Sequence, residues 1–117
     1  MKYLCMIFED ESIWPAMSPD TAGKMMSEYG ALTEDLKKSG QYVSGAQLQS
    51  GTTATTVRVR NGKMLSTDGP FIETKEQLVG FYLVEARDLN EALAIGARIP
   101  SAVHGVVEVR PLVERTI

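Results

Sequence analysis

The densest stretch of chemically capable side chains is Asp68-Gly69-Pro70-Phe71-Ile72-Glu73-Thr74-Lys75-Glu76. Gly69 and Pro70 force a turn that can present Asp68 into a cleft. A carboxylate placed there acts as a general base or as a ligand's hydrogen-bond acceptor where burial raises its pKa toward neutrality. The competing reading is a turn-forming Asp whose oxygens accept backbone N–H groups. Phe71 and Glu73 join Asp68 as ligand-binding candidates, although Glu73, Thr74 and Lys75 are of types that ordinarily stay solvated.

His104 is the only histidine and the second acid-base candidate, because imidazole titrates near neutral pH. It stands between Ala102-Val103 and Gly105 with no carboxylate in its own segment to orient it, which is also how an ordinary loop histidine looks. Cys5, the only cysteine, is the one other soft ligand. A zinc or haem site of the usual kinds needs more donors than these two, so neither metal nor cofactor is expected. The methionines Met25 and Met26 read as adaptable packing of a helix.

Composition narrows the partners. Hydrophobic residues make up 44% and charged residues 23% of 117 residues, a profile of an ordinary packed domain rather than a disordered chain. One domain spanning 1–117 is expected. A net charge of −3 and a pI near 5.1 argue against direct nucleic-acid binding, which needs clustered Lys and Arg to displace counterions. The longest basic cluster is Lys37-Lys38. The apolar run Tyr3 to Phe8 is too short for a signal-peptide core and meets Glu9, Asp10 and Glu11, and no later run is long enough to span a bilayer. With a single cysteine no internal disulfide can form, so a reducing cytoplasm is expected.

The elements that must position these side chains can be read in order. Tyr3 to Phe8 is a buried first strand and Glu9 to Met17 a loop. Ser18-Pro19-Asp20 starts a helix: Ser18 can cap, Pro19 suits the first position, and Asp20 complements the dipole. Ala22, Met25, Tyr29, Leu32 and Leu36 form its apolar stripe, and Gly40 closes it. Gln41 to Leu48 is a second strand. Thr52 to Arg60 and Lys63 to Thr67, joined by Asn61-Gly62, form a hairpin. Gly80 to Glu85 is the next strand, Asp88 with Glu91 starts a second helix that Pro100 ends, and Val106 to Leu112 is the last strand.

The order is βαβ, an inserted hairpin, then βαβ. Two split βαβ halves give an α+β, ferredoxin-like fold: an antiparallel sheet with both helices on one face. The other face would expose more apolar area than a monomer tolerates, so a homodimer is expected, two sheets packed face to face as an α/β barrel. Alternation gives Arg58, Arg60, Tyr82, Glu108 and Arg110 as one candidate set lining its interior and binding a ligand. The alternative is a solvated strand face.

The Asp68–Glu76 segment, followed by Gly80-Phe81-Tyr82-Leu83 and Glu108-Val109-Arg110-Pro111, closely resembles the DGPF branch of the YCII-related family. Met1-Lys2-Tyr3-Leu4, the Trp14 loop with Ser18-Pro19, and Thr55 to Arg60 resemble it too, so the likeness covers nearly the whole chain. It implies a dimeric α/β barrel of ferredoxin-like subunits. Some relatives carry a His-Asp pair proposed as catalytic, its histidine near the start of the first helix, and at least one removes chloride from a hydroxylated aromatic ring. Pro19 to Tyr29 contains no histidine, so that dyad does not carry over and only Asp68 matches the family's functional positions. Val79 stands where the family often has a second glycine. Genes of this type often lie beside, or fused to, extracytoplasmic-function sigma factors, which implies a sigma factor as a candidate protein partner.

Three function classes follow: a small-molecule-binding or regulatory accessory protein, an enzyme of isomerase, lyase or dehalogenase type using Asp68 as its acid-base group, and a purely structural dimer. The first is favoured, because the fold hosts many functions and no complete catalytic constellation is visible.

Overall fold

Side chains alternate across Lys2–Asp10 so that Tyr3, Cys5, Ile7 and Glu9 are buried while Leu4, Met6, Phe8 and Asp10 are half-buried. That strand, β1, is the centre of the molecule in the computed structural model, which describes residues 1–114. The described residues form six strands and three helices: β1, α1 (Ile13–Ala16), α2 (Pro19–Lys38), β2 (Tyr42–Gln47), β3 (Thr55–Arg60), β4 (Lys63–Asp68), β5 (Glu76–Glu85), α3 (Leu89–Arg98) and β6 (Val106–Pro111). Single 3-10 turns lie at Gly51–Thr53 and Pro100–Val103.

The main sheet has the order β2-β5-β1-β6 with every neighbouring pair antiparallel. This is the ferredoxin-like arrangement expected from two split βαβ units. The hairpin β3-β4 forms a separate two-stranded sheet. Its turn works because Asn61 (φ 52°) and Gly62 (φ 73°) both take positive φ, the backbone that matches the strands' twist in a two-residue hairpin.

Helix α2 starts as its sequence dictates: the Ser18 hydroxyl accepts from the Thr21 N–H at 3.2 Å, with Pro19 in the first turn. It buries Met25, Leu32 and Leu36, and Gln41 N–H donates to Leu36 O at 2.8 Å as the chain leaves. Helix α3 is capped by Asp88, whose Oδ1 accepts from the Glu91 N–H at 2.9 Å. Glu91 Oε1 reaches back to the N–H of Arg87 rather than that of Asp88, a capping box displaced by one residue. Both helices pack on the same sheet face, in one core of Tyr3, Cys5, Ile7, Leu32, Leu36, Tyr82, Val84, Ala92, Ile95 and Ile99. Side chains such as Leu36 and Val84, fully buried, stabilise the fold by about 1.5–3 kcal/mol each.

Four expectations are corrected. The segment Glu9 to Met17 is not all loop: β1 runs on to Asp10 and Ile13–Ala16 is helical. β5 begins at Glu76, four residues before Gly80. Tyr82 faces the helices, not the open side: it is 7% exposed and its hydroxyl meets Thr33 Oγ1 at 2.8 Å. Both phases of β5 are apolar, so alternation did not say which one faced the core; the phenol settles it by finding a partner on α2. Arg58 and Arg60 belong to the separate hairpin, so they do not share a sheet face with Glu108 and Arg110.

Candidate functional site

The buried phase of β1 ends on an acid. Glu9 is 4% exposed, and two elements hold its carboxylate. Trp14 on α1 donates its indole N–H to Oε1 at 2.6 Å, and His104 Nε2 lies 2.7 Å from Oε2. A buried carboxylate is tolerated when its oxygens are hydrogen-bonded, as both of these are. His104, after the Pro100–Val103 turn, is 20% exposed and so stands between Glu9 and water.

The approach that makes this pair depends on Gly105. A Cβ there would lie 2.3 Å from Phe8 O and 3.1 Å from Glu9 Cβ, an overlap no side chain can accept. Only glycine lets the turn close on β1, where Gly105 N–H donates to Ser101 O at 2.8 Å.

Glu9 is also part of the wall of a cavity of about 220 Å³. β1 contributes Ile7 and Glu9 to its lining, α1 Trp14, α2 Met26 and Tyr29, β2 Ala46 and Gln47, and β5 Val79 to Tyr82. The walls are mostly apolar and aromatic, with one carboxylate, one carboxamide and two phenols among them. The Tyr29 hydroxyl is 2.5 Å from Ser101 Oγ. Burial pushes its pKa up against the opposing Ser101 hydrogen bond, and the Glu9 charge pushes it the same way as burial. Burial likewise raises Tyr82. Both phenols therefore stay protonated, but Thr33 gives its single O–H to Tyr29 O, so Tyr82 donates to Thr33 Oγ1 and only Tyr29 has an O–H to offer elsewhere. This is the make-up of a small-molecule site: concave, apolar, with a few convergent polar groups.

Of the residues expected from sequence, Tyr82 lines this cavity and His104 reaches it through Glu9. Asp68 ends β4, is exposed and lies outside the cavity lining. The turn after it is tied to β3 by Gly69 N–H donating to Ala54 O at 2.7 Å and by the Thr56 hydroxyl donating to Gly69 O at 2.9 Å. Phe71 is exposed, with the Arg58 guanidinium 5.4 Å over its ring. Glu73 is exposed in the same turn and Arg60 on β3. Glu108 and Arg110 pair with each other at 2.6 Å on the open sheet face. Among the described residues no cluster of three or more His, Cys, Asp or Glu has the arrangement of a metal site.

Sequence reasoning missed Glu9, Trp14 and Tyr29 as site residues. The signal for Glu9 was present: continuing the alternation Tyr3, Cys5, Ile7 by one step puts Glu9 on the buried face. Nothing local could join it to His104, 95 residues away.

The fold is a ferredoxin-like α+β arrangement with a cavity, partly open to solvent, between its sheet and its long helix. The chain belongs to the YCII-related family, whose domain it matches over residues 1–116. It is similar to an uncharacterised protein of Rhizobium meliloti, 37% identical over 114 residues that cover 96% of this chain and 92% of the relative. No helix among the described residues is long and apolar enough to cross a membrane.

Proposed function

We propose that this chain is a small-molecule-binding protein of the cytoplasm, working as a homodimer, whose ligand is a one-ring, largely apolar compound held in the cavity beside Glu9. The observation that carries the reading is the cavity itself: about 220 Å³, against roughly 150 Å³ for an apolar cavity that takes up benzene. One substituted ring fits such a volume. The apolar walls supply affinity, while Glu9, Gln47 and the Tyr29 phenol orient a single polar substituent.

The dimer is supported by the half of the sheet that the helices leave alone. Leu4, Met6, Phe8, Phe81 and Leu83 lie in the phase opposite the core, bordered by the Glu108–Arg110 pair. The described chain is flat, 48 × 43 × 19 Å, with a radius of gyration of 16.2 Å, against about 13 Å for a compact chain of this order of length. A second copy laid on the open face would give the thickness a lone subunit lacks. Light scattering should therefore report a dimer at micromolar concentration, and a stable lone subunit would remove this part of the proposal.

Binding can be read directly, because Trp14 is the only tryptophan and lines the cavity. Titration with phenylacetone, a one-ring ketone, should change its emission saturably, and Ala46→Phe, which fills the cavity from β2, should abolish the change. An unsaturable response up to millimolar compound would overturn the ligand reading. If a sigma factor were then recovered by the chain in a pull-down, the regulatory reading would take its place.

A further inference from the structure

Glu9 and His104 offer more than a binding wall. The carboxylate has about four lone-pair sites, of which Trp14 and His104 occupy two. Glu9 is also the only acid among the residues that line the cavity. His104, hydrogen-bonded to it, is not among the lining residues and is partly exposed to solvent. A carboxylic residue in the wall of a largely apolar cavity, hydrogen-bonded to an imidazole in contact with water, is an arrangement suited to general acid-base transfer.

Resting on the ligand reading above, we propose that Glu9 is a catalytic base for keto–enol proton transfer in a one-ring ketone, with His104 as the positioning residue that exchanges its proton with solvent. The α-carbon C–H bond of the bound ketone breaks and its proton forms an O–H bond on Glu9. The bonding pair moves to the carbon–carbon bond, and the carbonyl π pair to oxygen, giving an enolate. Tyr29 stabilises that oxygen by donating its O–H, which is free when Ser101 is the donor in their shared bond. Reversal returns a proton to the carbon, and no oxidant, reductant or co-reactant is consumed. Between the two steps His104 changes through solvent from its Nε2–H to its Nδ1–H tautomer, accepts the Glu9 proton at Nε2 and releases the Nδ1 proton to water, which restores the resting pair.

Three features support this over a purely mechanical clamp. A clamp needs only Trp14 and His104 on Glu9, whereas Glu9 also forms cavity wall. A neutral donor would satisfy Oε2 as well as an imidazole does. Tyr29, kept protonated by burial, lines the same cavity and senses the Glu9 charge, as a donor for developing negative oxygen should.

The test is the exchange of the benzylic hydrogens of phenylacetone for deuterium in D2O, followed by proton NMR, with Trp14 emission reporting binding in parallel. The wild-type chain should accelerate exchange over buffer. Glu9→Gln should lose that acceleration by about 10²-fold or more while binding the ketone within a few-fold. His104→Gln keeps a donor for Glu9, so a clamp would survive it; the proposal requires slower exchange and a changed pH profile of the rate. If Glu9→Gln fails to fold, His104→Gln alone decides. Wild type that binds phenylacetone without exchange above buffer, or His104→Gln with an unchanged rate and pH profile, would overturn the catalytic proposal and leave the binding site standing. Absence of binding would overturn the ligand reading itself.

Discussion

Trp14→Phe removes one hydrogen-bond donor and leaves an aromatic ring in place. The donor it removes serves Oε1 of a carboxylate that is 4% exposed, so water has little access to replace it. Leaving a buried acceptor unsatisfied costs about 1–3 kcal/mol, and more when it is charged; a loss of about 2–3 kcal/mol is expected here. For a domain of this size each kcal/mol lowers Tm by roughly 4 °C, so thermal unfolding followed by circular dichroism should shift down by about 8–12 °C. Part of any Trp→Phe effect is lost packing, and a double-mutant cycle separates the two. Removing both partners is far less costly than removing one, so adding Glu9→Leu to Trp14→Phe should restore stability, with a coupling of about 1 kcal/mol or more. Additive effects of the two changes, or a Trp14→Phe protein that melts with wild type, would refute the reasoning that Glu9 is a buried carboxylate held by the indole.

Other consequences are independent of that pair. Gly105→Ala should destabilise the chain by several kcal/mol, because its Cβ would sit 2.3 Å from Phe8 O; an ordinary denaturant midpoint would show the turn can move aside. Burial raises the Cys5 thiol from 9.0 to about 11, so its contribution is fully present below pH 9 and is lost as pH rises toward 11, up to about 3 kcal/mol. The raised phenols of Tyr29 and Tyr82 act in the same direction above pH 10. Urea unfolding at pH 8 and pH 10.5 checks the sign, and equal stability at the two values would contradict it. Asp68→Ala, at an exposed position outside the cavity lining, should change stability by less than about 0.5 kcal/mol and leave the Trp14 titration unmoved. A lost titration would return the site to the Asp68 turn.

The parts legible in the sequence were those with a local physical cause. Ser18-Pro19-Asp20 can do little else than begin a helix, Asn61-Gly62 has the φ freedom a tight hairpin requires, and Asp88 caps α3 as its spacing implies. The element order then leaves few ways to pair the strands, which is why the ferredoxin-like sheet followed. What failed was knowledge of which face each strand turns inward. Tyr82 and Phe81 are equally apolar neighbours, and only contact with Thr33 separates them. The Glu9–His104 pair was illegible for a related reason. Its acid and its histidine sit at opposite ends of the chain and meet only because Gly105 lets a turn touch β1, a contact written in no single segment. The eye-catching Asp68 segment proved to be a hairpin's exit, anchored to β3 through its backbone.

A crystal structure of the chain grown with saturating phenylacetone puts the ligand site to the plainest trial. The compound should appear within the chamber between β1, β5 and α2, its α-carbon against the Glu9 carboxylate and its ring against Trp14. Density instead on the open sheet face or at the Asp68 turn, or a chamber that stays empty, would contradict it.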